Sequence, residues 1–313
     1  MNTRKLKTIS VFAAFLLAFT SCVKDLDTVP IDKDVYTSEN VYANPENYIH
    51  VLAKLYAGLA VSGQQGPAGM NDLSGLDEGF GQYLRAYWYA QELPTDEAVL
   101  GWNDGNLRDY HDMDWTSNNE FISNMYYRVF YQIALCNEFI RESSPEKLAD
   151  RGIPEANRTE IGLYRDEARF LRALSYVPFV TEEDQVGAFN PEQISRADLF
   201  NYVEKELLEV ESKLQDPGQA EYGRASKGAV WTLLAKLYLN AEVYTGAKKY
   251  TESLTYSKKV IAASYTLEPV YQHLFLADNH KSNEIIFGIT QDGVKTQTWG
   301  GTTFIICASL GGS

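Results

Sequence analysis

Helical periodicity is the feature of this chain that most limits its fold. In five segments, apolar residues recur every three or four positions, which is the spacing of one face of an α-helix. The residues that mark these segments are Ile49, Leu52, Tyr56 and Leu59; Ile122, Met125, Val129, Ile133, Cys136 and Ile140; Ile161, Tyr164, Ala168 and Leu171; Phe200, Val203, Leu207, Val210 and Leu214; and Val230, Leu233, Leu234, Leu237 and Tyr238. A weaker sixth segment holds Tyr250, Leu254, Ser257 and Ile261. The chain is therefore predicted to be mainly all-α.

Neighbouring predicted helices are joined by connections that suit helical hairpins. The fifth and sixth are separated by a turn around Thr245-Gly246, and the second and third by the polar stretch 143–157. Stacked hairpins of this kind are typical of tetratricopeptide-like scaffolds. Ser195 with Asp198 predicts a capping box at the start of the fourth helix, and Pro178 predicts an early end for the third.

Long irregular stretches separate the predicted helices. Residues 62–81 are rich in Gly, Asn and Asp, residues 94–119 in Asp and Asn, and residues 291–301 in Gly and Thr. Long loops that contain aromatic residues are usually ordered and functional. Residues 285–289 look like a short strand, with residues 303–308 as a partner. We therefore expect a second lobe of irregular loops with a few short strands.

The N-terminus has the pattern of a bacterial lipoprotein leader. A basic head precedes the apolar run 9–19, which is too short to span a bilayer, and small residues then precede Cys22. We predict a signal peptide at residues 1–21, acylation of Cys22, and a lipidated tether at residues 22–40. The alternative is an ordinary secretory leader with a chance cysteine. Acyl chains would hold the protein on a membrane.

Charge and motif content exclude several classes of function. A net charge of −14 argues against nucleic acid as a partner, because phosphates require a basic surface. The sequence contains no H-E-x-x-H, C-x-x-C, phosphate loop or G-x-S-x-G motif, so no cofactor is predicted. Cys136 lies on an apolar helix face, which favours a buried free thiol over a disulfide with Cys307. The histidines, which lack metal-ligand spacing, are His50, His111, His273 and His280.

Carboxylates crowd the loop region 94–119. A glycoside hydrolase would need two of them facing each other across the scissile bond, about 5–10 Å apart. A solvated acidic loop, with or without a structural calcium ion, explains the same composition. The residues concerned are Asp96, Glu97, Asp104, Asp109, Asp112 and Asp114.

Two loop tryptophans carry the composition of a sugar-binding surface. Trp102 is followed by Asn103, Asp104, Gly105 and Asn106, and Trp299 lies in the small polar run 295–301. An exposed indole packs against the apolar face of a sugar ring, while neighbouring amides bond its hydroxyls. The alternative is that each tryptophan fills a gap in the core.

Several motifs resemble the RagB/SusD family of outer-membrane lipoproteins from Bacteroidetes. They run along most of the chain: Ser21-Cys22 with Asp25-Leu26-Asp27, residues 75–79, 92–97, 167–174, 223–227 and 234–240, and residues 291–296 with Gly300-Gly301.

The resemblance implies a tetratricopeptide-like body with a loop lobe, assigned here to residues 41–313, and non-catalytic glycan binding. It also implies surface exposure at the cell outer membrane and a TonB-dependent, SusC-like transporter as partner. Family members run well past residue 313, so we expect the C-terminal part of the family fold to be missing. A purely structural transporter-lid adaptor and a surface glycoside hydrolase remain the alternatives.

The resemblance also proposes a glycan site, possibly for starch-like chains. The family's starch site has a tryptophan at the position of Trp102, a tyrosine at that of Trp299, and an arginine near Arg85. A second tryptophan of that site becomes Leu100 here, and a sugar-bonding asparagine falls at Gly105. The glycan-binding residues proposed from the sequence are Trp102, Trp299, Arg85, Asn103 and Asn106.

Overall fold

The structure is a computed structural model that describes residues 36–63, 71–101, 104–177, 194–298 and 301 of the chain. The predicted leader, the lipidation site Cys22, most of the tether, the loop residues Trp102, Asn103 and Trp299, Cys307 and the segment 303–308 lie outside the described residues. From Tyr42 onward the described residues belong to one compact unit.

The described part of the chain is mainly helical, which confirms the predicted fold class. Two short 3-10 helices follow the last α-helix, at Tyr271–Phe275 and Asn279–Lys281. The α-helices are α1 Ser38–Tyr42, α2 Asn47–Ala60, α3 Tyr83–Glu92, α4 Asp109–Asp112, α5 Glu120–Glu142, α6 Pro145–Asp150, α7 Glu155–Tyr176, α8 Arg196–Glu211, α9 Lys227–Leu239, α10 Ala241–Thr245 and α11 Tyr250–Ile261.

The predicted helical hairpins are present. Helices α5 and α7 pack together across a connection that contains α6, and α9 packs on α11 across a connection that contains α10. Ser195 caps α8 as predicted, because its hydroxyl oxygen accepts a hydrogen bond from the Asp198 N–H. Helix α7 ends at Tyr176, shortly before Pro178. Neither α3 nor α4 was predicted from the sequence.

The short strand predicted at residues 285–289 is absent, and this prediction is wrong. The segment has no regular secondary structure and packs against the helical body instead. The ring centroid of Phe287 lies 5.6 Å from that of Phe170 in α7 and 6.3 Å from that of Tyr56 in α2. An apolar run that covers helices in this way does not need strand pairing to bury its side chains.

The core of the body lies between α2, α5, α7, α8 and α9. Phe139, Phe170 and Phe200 are completely or almost completely buried there, and replacing such a residue by alanine typically costs about 3–5 kcal/mol. Cys136 is a buried free thiol in α5, as its position on the apolar face predicts. Burial raises the pKa of this thiol to about 12. None of the helices in the described part combines the length and apolarity of a membrane span.

A smaller apolar cluster supports the loops. Its buried members are Tyr89, Leu93, Leu107, Tyr110 and Phe121, which belong to α3, α4, α5 and the loop segments between them. The ring of Tyr89 meets that of Phe121 edge to face at 5.9 Å. This cluster gives the polar stretch 94–119 a folded base, which the sequence composition did not reveal.

Candidate functional site

The start of helix α3 is fixed by a buried glutamine. Gln82 is the N-cap residue, and its Oε1 accepts a hydrogen bond from the backbone N–H of Arg85 at 2.7 Å. Its Nε2 donates to the carbonyl oxygens of Leu59 and Ala60, at 3.1 and 3.0 Å, at the end of α2. One side chain therefore satisfies unpaired groups at the ends of two helices and ties those ends together.

Arg85, a residue of the proposed glycan site, lies in the first turn of α3 and is 7% exposed. Its Nε donates to the Tyr89 hydroxyl at 2.6 Å, and its guanidinium carbon lies 5.3 Å from the Tyr89 ring centroid. Burial lowers the pKa of Arg85, and the neighbouring Tyr89, Asp77 and Asp104 partly offset this shift. The structure thus places a buried positive charge beneath the loop that carries Asp104.

Asn106, also part of the proposed site, is half-buried and held by the N-cap of α5. The Asn119 side chain accepts hydrogen bonds from the N–H groups of Phe121 and Ile122, at 3.0 and 3.1 Å. Its Nδ2 donates to the carbonyl oxygen of Asn106 at 2.8 Å and to Asp109 at 2.9 Å. Within the described residues, the buried Oδ1 of Asn106 has no hydrogen-bond partner.

Position 105, where the resemblance places a sugar-bonding asparagine, holds a glycine in a left-handed turn. Gly105 has φ +49°, a conformation that glycine adopts readily and that asparagine tolerates better than most other residues. A Cβ at this position would lie 2.7 Å from Oε1 of Glu120, which would have to move. Asn103 and Asn106 are the amides proposed in place of that asparagine.

The loop that leads to position 299 is organised by one carboxylate. Oδ1 of Asp292 accepts hydrogen bonds from the backbone N–H groups of Thr296, Val294 and Lys295, at 2.8, 2.8 and 2.7 Å. These bonds hold the pKa of Asp292 well below its usual range. Gly293 has φ +70°, which lets the backbone fold around the carboxylate.

The two loops meet the body at the start of α3. A Cβ built on the buried Gly301 would lie 4.0 Å from Cδ of Gln82 and 2.9 Å from Cγ2 of Thr298. Residues 291–301 therefore end against the same helix terminus that carries Arg85. Asp104, two residues after position 102, also acts electrostatically on Arg85, so one described residue near each tryptophan position belongs to the surroundings of the start of α3.

A slot of about 410 Å³ opens in the first of these loops. Leu93 and Leu107 from the small apolar cluster contribute to its wall, and Gly101 belongs to its lining. The exposed residues Arg108 and His111 add polar groups to the lining. Its lining thus mixes apolar and polar groups in similar measure.

The acidic loop residues do not form a metal site in the described part of the chain. No group of three His, Cys, Asp or Glu side chains there is arranged to hold a metal ion. Asp112 instead pairs with Arg108 at 3.2 Å, and Asp109 accepts a hydrogen bond from Asn119. The described acids therefore help to shape the loop.

No protein-family model matches the chain. Its sequence is 35% identical to the starch-binding protein SusD of Bacteroides thetaiotaomicron over 325 aligned positions, which cover 99% of this chain. The chain resembles SusD along almost its whole length. The resemblance predicted from the motifs is thus confirmed, and this SusD-like chain spans 56% of the length of that curated relative.

Solved structures confirm the SusD-like fold. A SusD superfamily protein from Bacteroides vulgatus matches with a TM-score of 0.61 at 16% identity, covering 81% of this chain and 56% of its own. The surface glycan-binding protein A from Bacteroides thetaiotaomicron, solved in complex with laminarihexaose, matches with a TM-score of 0.56 at 20% identity. That match covers 78% of this chain and 49% of the relative. At these identities the likeness extends to the fold alone.

Sequence reasoning missed the residues that hold the loops in place. They are Gln82, Asn119, Arg128 and Asp292. Three of them had a signal. Asn119 directly precedes a periodic apolar segment, which is typical of an N-cap, and Asp292-Gly293 is a turn dipeptide. Arg128 falls between Met125 and Val129 on an apolar helix face, which indicates burial.

Proposed function

We propose that this SusD-like chain binds glycan at the cell surface without turning it over. The indole rings of Trp102 and Trp299 stack on the apolar faces of successive sugar rings. Asn103 and Asn106 donate to and accept from the sugar hydroxyls, and Arg85 supplies positive charge beneath them. An aromatic stacked on one face of a ring, with amides at its edge, binds sugar without needing a reactive group.

One observation carries the proposal. Gly301, two residues after Trp299, lies close to Gln82 at the start of α3, and the carboxylate of Asp104, two residues after Trp102, acts electrostatically on Arg85 in the first turn of the same helix. Two loops far apart in sequence thus share one base. The relative that is 35% identical is a starch-binding protein, which supports starch-like glycans as the first ligands to test.

We also propose where the protein acts. The leader pattern supports an acyl anchor at Cys22, and the family resemblance of the motifs supports attachment to the cell outer membrane and delivery of bound glycan to a TonB-dependent, SusC-like transporter. Purification of the tagged chain from membranes of its source cell is expected to recover such a transporter, and replacement of Cys22 is expected to release the chain from the membrane.

Calorimetric titration with maltoheptaose and laminarihexaose tests the binding site. Trp102→Ala is expected to weaken binding by about 1.5–3 kcal/mol, the value of burying one large apolar side chain, which is about tenfold or more in affinity. Trp231→Ala is the matched control, since that indole lies on α9 and donates to Glu211 at 2.8 Å. Equal binding by the parent and Trp102→Ala, or equal losses in both variants, would contradict the assignment.

Turnover is tested in the same samples. Incubation of the parent with starch, fructan and plant glycans is expected to release no new reducing ends. Release that a single Asp or Glu replacement in residues 94–119 abolishes would overturn the non-catalytic part of the proposal, because hydrolysis requires a pair of carboxyl groups.

A further inference from the structure

Arg128 is among the largest fully buried side chains of the described residues, with 1% of its surface exposed. It lies in the first half of α5, on a buried face that also holds Met125 and Val129 and the polar residues Asn124 and Gln132. A buried guanidinium is tolerated only where its donors are paired, since an unpaired buried charge is strongly unfavourable. Its partners therefore indicate what the charge is there to hold.

The partners of Arg128 all belong to the irregular stretch between α2 and α3. Nε donates to the carbonyl oxygen of Gly81 at 2.5 Å, and Nη1 pairs with Asp72 at 2.6 Å. Nη2 donates to Oδ1 of Asn71 at 2.9 Å and to the carbonyl oxygen of Ser62 at 3.4 Å. The planar guanidinium, whose donors point in fixed directions, thus joins three positions between α2 and α3: residue 62, residues 71–72 and residue 81.

The bond to Gly81 acts directly on the base of the proposed glycan site. Gly81 immediately precedes Gln82, the N-cap of α3 that contacts Arg85 and Gly301. The backbone is crowded here, because a Cβ at Gly81 would lie 2.3 Å from the carbonyl oxygen of Asp77. Asn124, one turn before Arg128 on α5, donates to the carbonyl oxygen of Phe80. Two side chains of α5 thus donate to the carbonyl groups of consecutive residues, Phe80 and Gly81, just before α3.

We infer that Arg128 is a positioning residue of the glycan site, which fixes the start of α3 and through it the meeting point of the two tryptophan loops. The inference rests on the proposed function for its link to glycan. Arg128 does not contact the ligand; it sets the orientation of the residues that do. A lysine at this position keeps the charge but cannot reach three separated oxygen atoms with one fixed fork.

The matched control is another buried arginine pair, at the opposite end of α5. Arg151 pairs with Glu142 at the far end of α5 and donates to the Tyr48 hydroxyl at 3.5 Å. Tyr48 lies eleven residues before Leu59 on α2, about 16 Å along the helix axis. Arg151→Lys therefore weakens a buried ion pair of similar chemistry without touching the start of α3.

Two measurements test the positioning role of Arg128: hydrogen exchange of the backbone amides and calorimetric titration with maltoheptaose. Both are made on the unsubstituted chain, on Arg128→Lys and on Arg151→Lys. We expect exchange at residues 79–85 to accelerate at least tenfold in Arg128→Lys and to stay at the parental rate in Arg151→Lys. We expect glycan affinity, compared at the same folded fraction, to fall at least tenfold only in Arg128→Lys.

The outcomes test the positioning role of Arg128 and the proposed glycan binding separately. Unchanged exchange at residues 79–85 in Arg128→Lys, or equal acceleration in both variants, overturns the positioning role. Accelerated exchange with parental affinity also overturns it, because the start of α3 would then not matter for binding. A parent that binds none of the tested glycans defeats the proposed function, while the exchange data still decide whether Arg128 fixes the start of α3.

Discussion

The two ends of helix α5 hold different kinds of structure in place. In its first half, Asn119, Asn124 and Arg128 direct polar groups to backbone carbonyls of Asn106, Phe80 and Gly81. At its last residue, the Glu142 carboxylate pairs with Arg151, the C-cap residue of α6, whose Nη1 also donates to the Glu142 carbonyl oxygen at 2.9 Å. The first arrangement holds segments with no secondary structure of their own, whereas the second joins the ends of two helices.

This difference separates buried polar groups that shape the binding loops from buried polar groups that hold the helices together. Backbone carbonyls of a loop have no partners of their own, so a side chain that supplies donors determines the path of the loop. The Arg151 pair acts at the other end of α5, where it satisfies the carbonyl group of Glu142 and joins the ends of α5 and α6. Disruption of the first half of α5 should therefore affect stability and glycan affinity together, and disruption of its end should affect stability alone.

The largest effect is expected from Arg128→Met. Removal of the guanidinium leaves the carbonyl of Gly81 without its donor and leaves Lys54, at 3.1 Å, as the remaining cationic partner of Asp72. Breaking a buried pair in this way costs about 3–5 kcal/mol in the free energy of unfolding. Urea denaturation followed by circular dichroism measures it. A loss below about 1 kcal/mol, the value of an exposed pair, would show that the buried pair does not hold the loop.

Glu142→Gln is expected to have an intermediate effect. It removes charge-assisted hydrogen bonds from Arg151 and Arg141, for a loss of about 2–3 kcal/mol near neutral pH. Although burial alone raises the pKa of Glu142, the bonds from these arginines hold it below the usual 4.5. Glycan affinity at the same folded fraction should equal that of the parent. An affinity loss like that of Arg128→Lys would erase the distinction between the two ends of α5.

The pH dependence of the same variant sharpens the test. A lowered carboxyl pKa gives stability that is complete above the unfolded value of 4.5 and lost as pH falls through the folded pKa. The parent should therefore lose stability on acidification below about 4.5, and Glu142→Gln should lose less of it. Glu206, whose pKa is also lowered by Arg169 and Arg172 despite its burial, keeps part of the dependence in both. Identical acid profiles would contradict the role of Glu142.

The smallest effect on stability is expected from Asp292→Ala. The carboxylate is exposed and serves only its own loop, so the midpoint of unfolding should barely change. Loss of three backbone hydrogen bonds should nevertheless loosen residues 292–296 and weaken glycan binding, because the ordering must then occur on binding. Asp278→Ala, which removes an exposed pair with Lys281, is the control. Equal glycan affinity of Asp292→Ala and the parent would show that this loop does not contribute.

Much of the helical frame could be predicted from the sequence, because its apolar faces are aliphatic and periodic. Helix α5 follows from Ile122 to Ile140 in this way. Helix α3 could not, because its buried face consists of Tyr83, Arg85, Ala86 and Tyr89, which mixes aromatic, small and charged residues. Its N-cap is also a glutamine, which is not among the preferred capping residues.

The sequence predicted which residues form the candidate site, but not how the fold brings their loops together. Trp102 and Trp299 were proposed from their polar neighbours, and they remain proposals. The contacts that bring their loops together were not readable, because the bond from Arg128 to Gly81 joins residues 47 positions apart. Asp292 differs, since its bonds are local and its turn dipeptide is visible in the sequence. Local order can be read from short motifs, whereas long-range order requires the fold.

A crystal structure of the parent with maltoheptaose tests the central claim most directly, which is that two loops meeting at the start of α3 form one glycan-binding face. We predict a single chain of sugar rings that contacts both Trp102 and Trp299, with hydroxyl groups bonded to Asn103 or Asn106. Sugar bound on another face, or both indoles packed inside the protein away from the ligand, would contradict the account.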